Sequence, residues 1–195
     1  MNGYLVLILG LIILLGTHSV RIVADGWRSA MIGRTGILGW KALIGLVSLL
    51  GFGLLVWGFG LARAEPVVLW AAPVWARHVV ALLMLPALVL LVAAYIPGNR
   101  IKSAIGHPMV AGVNIWALAH LLTNGRLAGL LLFGSFLVWA VFSFSAARRR
   151  DRAAGVTYPA GPLSRTVIAI VIGIALWAAF IMKLHVLLIG VQPFG

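Results

Sequence analysis

The chain has 195 residues, 63% apolar and only 9% charged, with 15 Lys and Arg against three acidic residues and a net charge of +12. A water-soluble domain carries roughly a quarter charged residues to stay dispersed, so this composition excludes one and makes lipid the solvent for most of the surface. The bases stand at the ends of apolar runs, where they meet anionic headgroups and not nucleic acid, and the lack of cysteine excludes disulfides, thiolate metal sites and a cysteine nucleophile.

A helix needs about 20 apolar residues to cross a hydrocarbon layer of about 30 Å, and six runs emerge on that criterion. The first extends from about Gly3 to Val23. No base precedes it and no small-x-small cleavage pattern follows, so it reads as a retained helix and not a signal peptide. His18 falls late in it, within Gly16-Thr17-His18-Ser19-Val20-Arg21. Its imidazole can ligate a metal or bond to a neighbouring carbonyl, and the sequence leaves both open. The connection from Asp25 to Gly39 is polar and reads as a short amphipathic piece along the inner surface.

The second run spans Trp40 to Leu61 and carries Gly45, Gly51, Gly53, Gly58 and Gly60, with Ser48 among them. In lipid such small residues form helix-packing faces. The third spans Trp75 to Ile96, with Pro86 expected to kink it. His78 reads as interfacial.

The fourth, Pro108 to Thr123, is short and rich in polar groups. A proline after His107 suits a helix start. His107 then lies near the inner interface, with His120 about 20 Å further along the axis. Trp116, His120 and Asn124 are spaced four apart and share a face. Packing accounts for Trp116 and C-terminal capping for Asn124. His120 and Asn114 lie at membrane depth, where a polar side chain is costly. For His120, which has no acid nearby in its helix, a carbonyl or a metal is the expected partner.

The fifth run spans Leu127 to Ala147, and the basic stretch from Arg148 to Leu163 reads as the longest loop. The sixth spans Arg165 to Ile189, where Lys183 and His185 are expected to snorkel toward headgroups. With the amino terminus outside, eleven of the bases, including Arg148, Arg149, Arg150 and Arg152, fall on the inner side. The positive-inside rule thus predicts an all-α bundle of six transmembrane helices, one domain over residues 1–195, with both termini outside the cytoplasm.

No phosphate-cradling loop, H-E-x-x-H motif, carboxylate pair or Ser/His/Asp set is present, and no carboxylate lies within a span. Neutral histidines in an apolar bundle are the one suggestive constellation, the setting in which haem is often held.

The stretch from His107 to Gly125, HPMVAGVNIWALAHLLTNG, resembles the signature of the NnrU family of bacterial membrane proteins. Gly16 to Arg21, Trp27-Arg28, Trp40-Lys41 and Asn99 to Lys102 fit the same family, so the resemblance covers nearly the whole chain. It implies a multi-pass protein of the bacterial inner membrane, linked to nitrite and nitric oxide reduction. The zeta-carotene isomerase is similar over the same core, which implies haem b held by two histidines and redox-dependent isomerisation of a polyene. Transferred to this chain, the ligands would be His18 and His120, with His107 as the alternative. Where the isomerase has a cysteine three residues before the second histidine, this chain has Ala117, so thiolate exchange is unavailable. The resemblance assigns no catalytic residue.

The expectation is therefore a haem-b membrane protein acting in denitrification-linked metabolism or on an isoprenoid, with a redox protein or an isoprenoid as partner within the bilayer. The alternative is a non-catalytic factor that assembles or stabilises a respiratory complex. A channel or carrier fits least, since no internal repeat or intramembrane charge pair marks a path.

Overall fold

The structure is a computed structural model that describes residues 2–194. Among these residues the chain is 82% helix, with no strand and one isolated antiparallel pairing, Val68 with Arg126. In order the helices are α1 Gly3–Val23, α2 Asp25–Ala64, α3 Ala76–Tyr95, α4 Arg100–Ile105, α5 Pro108–Thr123, α6 Leu127–Ala154, α7 Leu163–Ala179 and α8 His185–Ile189. A π-helical turn, Phe180–Leu184, joins the last two. Five segments are long and apolar enough to cross a membrane: α1, α2, α3, α6 and the continuous Leu163–Ile189. The sixth expected span, α5, is a shorter apolar helix. At 16 residues it rises about 24 Å, less than the hydrocarbon layer. The protein is thus a polytopic helical membrane protein. Leu5, Leu9 and Ile12 on α1 and Val167, Ile168 and Val171 on α7 are exposed, as lipid-facing residues are.

The chain forms two compact units. The first holds residues 1–70 and 126–139. Its centre is the α1–α2 hairpin, in which the backbones meet through glycine. A Cβ on Gly58 would fall on the Leu7 backbone, one on Gly10 on the Leu55 backbone, and one on Gly51 on Leu14 at 2.8 Å. Gly51 and Gly58 are seven apart and so share a face. Gly45, Gly53 and Gly60 have open space, so only part of the expected glycine face makes this contact. The Tyr4 hydroxyl closes the hairpin end, donating to the Glu65 carbonyl at 3.1 Å and accepting from the Val67 N–H at 3.3 Å.

The expected amphipathic piece after α1 is helical and joins the second span through a kink. The break falls at Gly36, whose backbone is non-helical with φ 72°. Trp27 before it and Trp40 after it meet edge to face at 5.7 Å.

The second unit holds residues 71–125 and 140–195, with α3 packed against both α5 and α7. A Cβ on Gly112 of α5 would come within 2.9 Å of the Ala87 carbonyl, and one on Gly173 of α7 within 2.6 Å of Val89. Pro86 lies inside α3, which continues through it. The Trp177 indole N–H donates to the Ala81 carbonyl at 2.7 Å, beside the turn whose donor the proline removes.

Asn99 ties α3 to α4. Fully buried, it donates to the carbonyls of Ala93 (2.7 Å) and Ile96, and its Oδ1 accepts the Lys102 N–H at 2.8 Å. Next to it, the Arg100 N–H donates to the buried Thr166 hydroxyl at 2.9 Å.

The basic run Arg148 to Arg152, expected as loop, instead forms the last turns of α6, which reaches Ala154. Alanine and arginine are good helix formers, and the helix stops at Gly155, where φ is 61°. Only the residues between Ala154 and Leu163 connect α6 to α7.

Candidate functional site

His18 belongs to the first unit. It and its two neighbours each bond back to the carbonyl four residues earlier: Thr17 to Ile13, His18 Nδ1 to Leu14 at 2.8 Å, and Ser19 to Leu15 at 2.6 Å. A polar side chain in a span satisfies itself this way when no other partner is near. A carbonyl can only accept, so the proton sits on Nδ1 and the lone pair on Nε2. Trp139 stands edge-on to the ring at 6.1 Å, and its buried indole N–H has no hydrogen-bond partner.

His107 belongs to the second unit and is arranged differently. It occupies the cap position before α5, after the turn at Gly106 (φ 77°) that ends α4. Its Nε2 donates to Asp151 Oδ2 at 2.8 Å, and the Tyr158 hydroxyl donates to the same oxygen at 2.9 Å. The rings of Tyr158 and Phe144 stand edge-on to the imidazole at 5.9 and 6.3 Å. The Arg148 guanidinium donates to the Ile105 carbonyl at 3.3 Å. Here the carboxylate accepts the hydrogen bond from Nε2–H, so any ligation by His107 would use Nδ1. No local motif announces this set, because Asp151 lies 44 positions away within a run of arginines.

His120, also in the second unit, sits in the last turn of α5. Its Nδ1 donates to the Trp116 carbonyl at 2.9 Å, and the Trp116 ring lies 5.4 Å from it. The His120 carbonyl accepts from the backbone N–H and the side-chain amide of Asn124, both at 3.0 Å, as the capping expectation required. Ala117 and Ala119 are fully buried and let neighbouring helices approach. Asn114 donates to the Val110 carbonyl at 3.1 Å, while its buried Oδ1 has no partner.

The structure also brings in a residue that the sequence placed at the headgroups. The His185 ring lies 6.5 Å from that of His120, with the planes 19° apart, and its Nδ1 donates to the Val191 carbonyl at 2.6 Å. Nothing local marks it, because 65 positions separate the two histidines and only the packing of α3, α5 and α7 joins them. His78 stacks on Phe194 at 5.6 Å, away from this pair in sequence and exposed.

Three histidines of apolar helices, His18, His120 and His185, thus share one tautomer, with Nδ1 on a main-chain carbonyl. Metal-bound histidines are held in the same way, through the nitrogen that does not ligate. Among the described residues no group of three or more His, Cys, Asp or Glu could hold a metal ion by itself.

No curated protein and no solved structure matches the chain. The family model described as NnrU protein matches residues 6–193. The match covers nearly the whole chain and reaches both compact units, and on it the chain belongs to the NnrU family.

Proposed function

We propose that this NnrU-family protein is a haem-b protein of the bacterial inner membrane that holds the iron through histidines, His120 among them. The observation that carries this reading is the shared tautomer of His18, His120 and His185, each with its Nε2 lone pair on an apolar helix. The donor set fits: imidazoles in apolar helices are the usual axial ligands of haem iron.

Bound haem supplies one-electron chemistry at its iron. The residues of this chain hold the imidazoles in place and keep their protons on Nδ1. Such a centre serves either a redox step linked to nitrite and nitric oxide reduction or the redox-dependent isomerisation of an isoprenoid within the bilayer. The test is the absorption spectrum of the purified protein before and after dithionite. A Soret band that shifts on reduction and is weakened in His120→Ala is the expected result, and a protein that neither carries nor takes up haem sinks the reading.

A second reading, a non-catalytic factor that stabilises a respiratory complex, draws on the acidic residues. All three stand at helix ends: Asp25 opens α2, Glu65 follows it, and Asp151 lies in the last turn of α6. Among the described residues no acid lies in the interior of a spanning segment. Copurification with a partner subunit and no chromophore would favour this second reading.

A further inference from the structure

We infer that His185 is the second axial ligand, so that His120 and His185, not His18, form the imidazole pair that would hold the iron. This rests on the haem reading proposed for the protein. The two rings are nearly parallel, with centroids 6.5 Å apart. Direct ring packing covers about 4.5–7 Å, so distance alone does not separate packing from ligation. The hydrogen bonds do more. His120 donates from Nδ1 to the Trp116 carbonyl and His185 from Nδ1 to the Val191 carbonyl. Both lone pairs are therefore on Nε2, and both rings are oriented through the opposite nitrogen, as ligating histidines are.

The backbone around His185 is irregular in a way that serves this pairing. The π-helical turn Phe180–Leu184 directly precedes it. Such a turn adds about one residue and rotates the residues beyond it by about 100°. In an uninterrupted α-helix Leu184 would take the direction that His185 takes. Gly190, with φ 76°, then ends the helix and returns the Val191 carbonyl to the imidazole.

Two imidazoles also narrow the kind of metal. A zinc site draws three or four ligands from the protein, and among the described residues no such group gathers. Iron in a tetrapyrrole brings four donors of its own and asks the protein only for the axial pair.

The full-length protein in detergent, loaded with haemin, is read by absorption and electron paramagnetic resonance. The wild type is expected to give a six-coordinate low-spin ferric signal. His185→Ala should lose it for a high-spin signal and regain it with added imidazole, whereas His18→Ala should keep it. His185→Met, which restores an iron ligand of another kind, should give a six-coordinate spectrum distinct from the wild type. A low-spin His185→Ala protein without imidazole, a His185→Met spectrum identical to the wild type, or a high-spin His18→Ala protein overturns the assignment while the haem reading stands. A wild type that takes up no haemin overturns both. So does one that takes up zinc chloride in its place with loss of uptake in His185→Ala.

Discussion

At the scale of single residues, the polar groups of this chain divide by what satisfies them. Asn99 is spent on structure, since its amide answers two carbonyls at the end of α3 and one N–H at the start of α4. A buried amide with its bonds made adds to stability, and one without them is costly. His107 is held from outside its helix by Asp151, which Tyr158 also holds. That shared carboxylate fastens the last turn of α6 to the start of α5 and to the connection before α7. Asp151→Ala is therefore expected to loosen the turn that carries Arg150 and Arg152. Local opening exposes backbone to proteases in proportion to its equilibrium, so trypsin should cleave there roughly tenfold faster than in the wild type. Tyr158→Phe, which removes one of the two bonds, should have a smaller effect in the same direction. Equal cleavage rates in all three proteins would show that the carboxylate does not hold this turn.

At the scale of elements, close approach of backbones replaces the hydrophobic effect, which offers little between helices already in lipid. In the α1–α2 hairpin the contact is made by Gly10, Gly51 and Gly58, while Gly53 faces open space. These positions predict opposite outcomes for similar substitutions. Gly58→Val would push a side chain into the Leu7 backbone and should destabilise the protein by about 3 kcal/mol or more, the upper range for overpacking. Gly53→Ala meets nothing and should stabilise the helix by up to about 1 kcal/mol. The midpoint of unfolding in mixed micelles of increasing dodecyl sulfate content measures both. The same logic explains why the basic stretch after residue 147 is helix. Its residues favour helix and no glycine interrupts them before Gly155.

At the scale of the molecule, five crossing segments and the shorter α5 return the chain to the side on which it started if all six traverse. The bases then place that side outside. A C-terminal alkaline phosphatase fusion should accordingly be active and a C-terminal green fluorescent protein fusion dark; the reverse pattern would mean that one segment does not cross. Which features were legible in advance depends on range. Composition fixes the solvent, since a chain with three acids and 63% apolar residues has too little charge for a water-facing surface. Apolar run length fixes the spans, and Pro108 and Asn124 mark the ends of α5, because those signals are local. The family, too, is carried by short motifs around His18, His107 and His120. The partners of those histidines are not local. Asp151 stands in what reads as an arginine loop, and His185 in what reads as a headgroup anchor. Only packing of α3 against α5 and α7, together with a π-helical turn that periodicity does not announce, brings the two rings to 6.5 Å. Sequence alone thus determined what dissolves this protein and where it crosses, because hydropathy is a property of each segment; tertiary structure decided which imidazoles meet, because that depends on a rotation added one residue at a time.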